Sequence, residues 1–173
     1  MRTKLLLATV LVTAAFSAQA ANTIRFQGEV ATQTCTVAVN DSATPTVLLP
    51  TVPVSALATS GDTAGETPFT VKLTNCTVAA TDTAIGTVFL ANNLTSNNRI
   101  GNTGTATNVS LELTGGVGSS TVLNMNGASS NAGLVLKSGD TEASHDFAVR
   151  YHAEGASSAG TVKGSVQYAV TYL

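Results

Sequence analysis

Short runs of alternating apolar and polar residues dominate this chain, and a period of two is the pattern of half-buried β-strands. The run nearest the start spans residues 24–30. Its small and apolar residues share one side of an extended chain: Ile24, Phe26, Gly28 and Val30. The residues between them are polar and lie on the other side: Arg25, Gln27 and Glu29. A strand in this position completes either its own sheet or the sheet of a neighbouring protein.

Further strand patterns follow along the chain, separated by polar segments that contain glycine. We predict strands at residues 32–39, 69–73, 85–91, 109–113, 134–136, 147–153 and 161–172. Three prolines interrupt residues 41–66, which we interpret as an edge strand and a long connection with a short edge piece at 47–49. Residues 92–108 and 115–133 are rich in Asn, Thr, Ser and Gly, so we predict loops there. This number and spacing of strands predicts an all-β sandwich.

The last predicted strand is the longest and most regular. Five apolar or aromatic residues share one face with Gly164: Val162, Val166, Tyr168, Val170 and Tyr172. Polar residues occupy most of the opposite face. Because a tail would not need such regular alternation, we predict that residues 161–172 belong to the core of the fold.

The first 20 residues have the composition of a secretory signal. Arg2 and Lys4 precede an apolar run at residues 5–16, and Ala-Gln-Ala at 18–20 is a small-x-small cleavage site. The competing interpretation is a membrane anchor, but a spanning helix needs about 20 apolar residues. We therefore expect an exported chain whose mature form begins near Ala21.

Charge narrows the range of partners. Charged residues make up 10% of the chain, whereas globular proteins carry about 25%. Without Arg2 and Lys4, six basic residues face ten acidic ones, a net charge of −4. Nothing here predicts nucleic acid or an anionic membrane as a partner. A surface so poor in charge suits a module packed against copies of itself, and equally a neutral secreted enzyme.

Cys35 and Cys76 are the only cysteines. Export would place them in an oxidising compartment, where two thiols usually pair. A metal site would need more ligands, and the two histidines do not cluster with these cysteines. We therefore predict a Cys35–Cys76 disulfide.

Candidate catalytic and metal-binding residues form no convincing site. Ser144, His145 and Asp146 are of the types found in a catalytic triad, but neighbouring side chains on a strand alternate and cannot form a relay. His145 and His152 lie seven residues apart, which places them on opposite faces of an extended chain. We expect no enzyme activity, no cofactor and no metal ion.

Two short motifs lie around the cysteines, and two more lie towards the end of the chain. Residues 26–28 are Phe-Gln-Gly, seven positions before Cys35, and residues 72–76 are Lys-Leu-Thr-Asn-Cys. Residues 148–151 are Ala-Val-Arg-Tyr, followed by Gly155 and by Ala-Gly at 159–160, and Tyr172 is the penultimate residue. Together with the signal sequence, these motifs resemble the chaperone–usher fimbrial subunits, specifically the type 1-like major pilins.

The resemblance implies a fold and a division of the chain. The family fold is an immunoglobulin-like sandwich that lacks its last strand and is completed by a donor strand. We expect a signal peptide at 1–20, a donor-strand extension at 21–30 and a pilin domain at 31–173. The donor residues are then Ile24, Phe26, Gly28 and Val30. The acceptor groove and chaperone contact are then formed by Val162, Gly164, Val166, Tyr168, Val170 and Tyr172.

The resemblance also implies a function. Such a subunit passes through the periplasm with a chaperone and reaches the surface through an outer-membrane usher. There it polymerises head to tail with its own copies and other pilins into a fimbria that supports cell adhesion. One alternative is a minor or adaptor subunit of the same pilus. Another is a self-contained secreted β-sandwich that binds a ligand as a monomer.

Overall fold

The computed structural model describes residues 34–172 of the chain. These residues contain eight β-strands and one short 3-10 helix, joined by loops. The strands are β1 (Thr36–Val39), β2 (Thr63–Thr74), β3 (Thr83–Ala91), β4 (Ile100–Gly101), β5 (Val109–Thr114), β6 (Asn126–Leu136), β7 (Ala143–Ala153) and β8 (Val166–Tyr172). The helix is Val54–Leu57, and no helix within 34–172 is long and apolar enough to cross a membrane. The predicted signal peptide and the strand at 24–30 lie outside the described residues.

The strands form two antiparallel sheets, which confirms the predicted all-β sandwich. The larger sheet has the order β1-β2-β7-β5-β4, and the smaller has the order β6-β3-β8. Alternate residues of each strand point between the sheets, as Phe69, Val71 and Leu73 of β2 do, and these three are buried. The sequence pattern of period two therefore corresponds to the inward face of each sheet.

Three phenylalanines join the sheets at the centre of the core. Phe69 and Phe147 come from the larger sheet and Phe89 from the smaller one. The rings of Phe89 and Phe147 meet edge to face, with centroids 5.5 Å apart, and those of Phe69 and Phe89 lie 6.3 Å apart. Edge-to-face contacts suit the charge distribution of aromatic rings, so this cluster stabilises the packing of one sheet on the other.

The predicted loop at 115–133 is wrong in its second half, because β6 begins at Asn126. The small polar residues of this strand pair with β3 through the backbone, with two shifts in register. At one shift the buried Asn131 side chain donates a hydrogen bond to the Thr87 carbonyl, 3.1 Å away. This part of β6 is held by main-chain pairing rather than by apolar side chains, so hydrophobic alternation did not reveal it.

The last strand is shorter than predicted, since β8 starts at Val166 rather than at residue 161. Residues 161–165 instead bond to the loop at 102–106. The amide of Thr103 donates to the Lys163 carbonyl (2.8 Å), and that of Ala106 donates to the Thr161 carbonyl (3.0 Å). The alternation continues through this segment, but the sheet does not.

The structure contains the predicted disulfide between Cys35 and Cys76. Cys35 directly precedes β1, and Cys76 follows the end of β2, with which β1 pairs. The bridge therefore fastens the short edge strand β1, which has only four residues, to the body of the larger sheet.

We expect the free energy of unfolding to fall by about 4 kcal/mol in the double variant Cys35→Ser, Cys76→Ser, because the bridge closes a loop with a sequence separation of 41 residues. Urea denaturation followed by circular dichroism would measure it. Reductant should lower the midpoint of the wild type and leave that of the double variant unchanged. Equal midpoints for wild type and variant without reductant would contradict a stabilising bridge.

Candidate functional site

An open groove of about 570 Å³ runs into the core of the sandwich. Its lining includes side chains from the inward faces of both sheets: Phe69, Phe89, Leu111, Leu113 and Val149. The rest of the lining comes from Val39 of β1, from Ile100 of β4, and from members of two stretches of chain, residues 43–49 and 164–168. A cleft with an apolar floor and two stretches of chain along it is suited to an extended apolar segment.

Strand β8 has one edge without a strand partner among residues 34–172. It is the outermost strand of its sheet and pairs with β3 from Val166, opposite Ala91, to Tyr172, opposite Ile85. An edge strand presents a row of backbone N–H and C=O groups that can pair with another chain. Val166 and Tyr168 of β8 line the groove.

The segment at 43–49 likewise has no backbone partner within the described part of the chain. The Thr44 amide donates a hydrogen bond to the Ser42 hydroxyl, 3.2 Å away. Val47 and Leu49 are half-buried against the core, whereas the intervening Leu48 is 83% exposed. The predicted edge piece at 47–49 therefore has the side-chain alternation of a strand but no strand pairing.

The predicted acceptor residues divide into two groups. Gly164, Val166 and Tyr168 line the groove, while Val162, Val170 and Tyr172 are half-buried against the core. Gly164 lies so close to the floor that a Cβ there would be 2.6 Å from the Ile100 Cγ2 atom. Any larger residue would displace that floor, so glycine is needed at this position.

A buried charged network lies behind the groove floor. Leu111 and Leu113 of β5 line the groove, and Glu112 between them points to the opposite face. Glu112 is only 2% exposed. One carboxylate oxygen accepts a hydrogen bond from Arg150 Nη2 (2.6 Å), and the other accepts one from Arg99 Nε (2.9 Å).

Two further carboxylates extend this network. A Glu154 oxygen lies 3.5 Å from Arg99 Nη1 and accepts a bond from the Ser110 hydroxyl (2.7 Å). A Glu66 oxygen lies 3.9 Å from Arg150 Nη1. Together these side chains cover the outer face of β5, which explains why its outward residues Ser110 and Glu112 are buried.

Sequence reasoning missed the network, because the alternation of β5 placed Glu112 on a solvent face. The sequence did contain one signal of a charged pair. A glutamate lies within one predicted strand and an arginine within another, in a chain with few charged residues. The structure pairs these residues directly, with Glu112 opposite Arg150.

The network lowers the pKa of its carboxylates. Burial by itself would raise the pKa of Glu112, but hydrogen bonds from Arg150 and Arg99, and the charges of both, outweigh it and hold the pKa below the usual value. At Glu154, burial is likewise outweighed by hydrogen bonds from Ser110 and Asn97, so its pKa is also lowered. Such groups stabilise the fold above their unfolded-state pKa, and this stabilisation is lost as the pH falls through the folded-state pKa.

Comparison with known proteins decides the family. Residues 24–173 match the sequence profile of the family described as Fimbrial protein. This chain belongs to the fimbrial protein family. It is a fimbrial subunit, a component of cell-surface appendages, as its resemblance to pilins predicted.

Named relatives span nearly all of the chain. It is 34% identical over 170 residues to the major fimbrial subunit SMF-1 of Stenotrophomonas maltophilia (strain K279a), covering 94% of this chain and 99% of that one. It is 32% identical to the F17 fimbrial protein of Escherichia coli, covering 86% of each. It is 30% identical to the minor fimbrial subunit HifD of Haemophilus influenzae, covering 86% of this chain and 73% of that one.

Solved pilus subunits share the fold of this fimbrial subunit. The P pilus rod subunit PapA superposes with a TM-score of 0.61 at 14% identity, covering 80% of this chain and 99% of PapA. A subunit from a chaperone–usher pilus structure superposes with a TM-score of 0.62 at 16% identity, covering 92% and 100%. The fold is therefore the pilin sandwich.

We expect Glu112→Gln to lower the free energy of unfolding at pH 7 by about 3 kcal/mol, because Arg99 and Arg150 lose the buried negative charge that they pair with. The variant should also lose less stability than the wild type on acidification, since the lowered pKa of Glu112 no longer contributes. Urea unfolding measured from pH 7 to pH 3 would show both effects.

The matched control is Glu142→Gln. Glu142 is an exposed partner of Lys72, with N–O distance 3.6 Å, and exposed pairs contribute little. Parallel pH profiles for Glu112→Gln and Glu142→Gln would show that the buried network does not stabilise this subunit.

Proposed function

We propose that this fimbrial subunit polymerises head to tail by donor-strand exchange, in which residues 24–30 of one subunit enter the groove of the next. The observation that carries the proposal is the groove itself. The edge of β8 and the segment 43–49, which has no backbone partner among residues 34–172, flank an exposed part of the core there. A strand inserted there would add a fourth strand to the smaller sheet.

The sequence of residues 24–30 is suited to such a groove. Its inward row contributes Ile24, Phe26 and Val30, and burying three large apolar side chains stabilises by roughly 5–9 kcal/mol before ordering costs. New backbone hydrogen bonds along β8 would add to this. Gly28 interrupts the bulky row, which suits a point where the donor backbone lies close to the groove.

Assembly requires partners that protect the groove before polymerisation. A subunit with an open edge and exposed core aggregates readily. We propose that a periplasmic chaperone supplies a temporary strand and that an outer-membrane usher exchanges it for the donor strand of the next subunit. A minor subunit of the same pilus is the second candidate, favoured by the similarity to HifD.

Deleting residues 22–30 should remove the subunit's ability to donate a strand and leave its ability to accept one. The truncated subunit should still form a 1:1 complex with its chaperone, because the groove is built from residues after 34. It should not insert into another subunit, so SDS-resistant ladders should disappear. Size-exclusion chromatography of periplasmic extract and unboiled gels would measure both. A truncated protein that unfolds even with chaperone would instead place this strand in its own core.

Substituting Gly28 tests the insertion itself. Gly28→Leu should fold and bind chaperone normally, because this stretch is unpaired before assembly. It should fail to form pili, since overpacking of a formed core costs about 1–3 kcal/mol and here also blocks insertion. Gln27→Leu, on the outward side of the strand, is the control and should form pili. Chaperone-complex yield and surface pili are the measurements, and normal pili from Gly28→Leu would refute the donor assignment at this position.

A further inference from the structure

The chain passes from one sheet to the other just before β8. Residues 166–172 pair with β3 of the smaller sheet. Residues 161–165, which we call the crossing, bond instead to residues 102–106, the loop that directly follows β4 of the larger sheet. Gly164 of the crossing lines the groove. The shape of the groove at this end therefore depends on what holds the crossing in place.

One side chain, that of Asn102, binds main-chain groups on both sides of this contact. Its Oδ1 atom accepts hydrogen bonds from the amides of Lys163 (2.8 Å) and Gly104 (2.7 Å). Its Nδ2 atom donates to the carbonyls of Ala106 (2.8 Å) and Thr161 (3.4 Å). A side-chain amide has two donors and two acceptor positions, so Asn102 uses its full hydrogen-bonding capacity here.

A second asparagine, Asn92, holds the other side of the crossing. Its backbone amide donates to the Ser165 carbonyl (3.1 Å), and its Nδ2 atom donates to the Ser165 hydroxyl (2.8 Å). Its Oδ1 atom accepts a hydrogen bond from Gln167 Nε2 (3.1 Å). Because Asn92 directly follows β3, Gly164 is held through Lys163 from the larger sheet and through Ser165 from the smaller one.

Two glycines allow the main chains of the crossing and the loop to approach closely. A Cβ atom at Gly104 would collide with the Thr161 carbonyl oxygen, and a Cβ atom at Gly160 would collide with the Ala106 amide nitrogen. The contact therefore consists largely of main-chain groups, and a polar side chain is suited to join them.

We propose that Asn102 is a positioning residue for strand uptake, which fixes the crossing so that the groove is ready to receive a donor strand. This inference rests on the proposed donor-strand exchange. Asn102 is not among the residues that line the groove. It acts through the backbone on either side of Gly164 rather than on the incoming strand.

Freedom at the crossing would reduce the fraction of subunits that can accept a strand. The floor beside Gly164 is apolar, since Ile100 and Leu111 lie directly below it. A loosened stretch of chain next to an exposed apolar floor gains free energy by covering it. A subunit whose groove is covered cannot accept a donor, so the apparent affinity for the donor falls with the competent fraction.

The experiment measures the capture of a donor peptide by the chaperone complex of the mature chain. The probe is a labelled synthetic peptide of residues 21–33, and unboiled gels report the labelled subunit over time. The variants are Asn102→Ala and Asn92→Ala. The matched control is Asn97→Ala, because this exposed side chain donates a hydrogen bond to Glu154 (3.0 Å) away from the groove lining. Release of the captured peptide in urea reports the completed complex.

We expect Asn102→Ala to capture the peptide about tenfold more slowly than the wild type at low peptide concentration, roughly the effect of losing one to two net hydrogen bonds. High peptide concentration should restore the rate, because only the competent fraction has changed. Release should be unchanged, since the inserted strand then pairs with β8 and holds the edge itself. Asn92→Ala should slow capture to a lesser degree, because its main-chain bond to Ser165 remains. Asn97→Ala should match the wild type.

Other outcomes would overturn the proposal. Wild-type capture by Asn102→Ala would show that the crossing needs no such support. Faster release with unchanged capture would show that Asn102 only stabilises the completed sandwich. Equal slowing in Asn97→Ala would show a general effect of the loops. If Asn102→Ala yields no chaperone complex, Asn92→Ala decides, and its capture at the wild-type rate would overturn the proposal. Failure of the wild type to capture the peptide would instead refute donor-strand exchange itself.

Discussion

Every backbone hydrogen-bonding group in a β-sheet needs a partner, and among residues 34–172 this sandwich leaves a row of such groups open beside an exposed part of its core. The row belongs to the edge of β8, and the segment at 43–49 faces the same groove without pairing of its own. Water can satisfy such groups, but it cannot favourably cover Phe69, Phe89 and the other apolar residues of the floor. One added strand would pair with the open backbone groups and cover the apolar floor.

Three sets of contacts stabilise the sandwich beside this open groove. The disulfide fastens β1 to the end of β2, and the phenylalanine cluster joins the two sheets. Behind the floor, Glu112 and its two arginines hold the outer face of β5. Phe69 and Phe89 of the cluster also form part of the groove floor, so the contact that joins the sheets supports the groove directly.

The two sheets have different surfaces. All charged residues on the described strands lie in the larger sheet, where Glu112 pairs with two arginines, and the strands of the smaller sheet have none. The smaller sheet is also the one that ends at β8. The sheet without charged residues is therefore also the sheet that lines the groove with its edge strand.

The sequence by itself determined the features that depend on local alternation and on composition. Three features could be predicted from neighbouring residues and chain chemistry: the half-buried row of Val166, Tyr168 and Val170, the inward rows of β2 and β7, and the pairing of the two cysteines. Only the tertiary structure decided which strands lie at an edge, because pairing partners are distant in sequence. It also decided that β6 begins at Asn126, that Glu112 is buried beside two arginines, and that residues 47–49 have no strand partner among residues 34–172. Each outcome depends on long-range contacts that the local pattern does not contain.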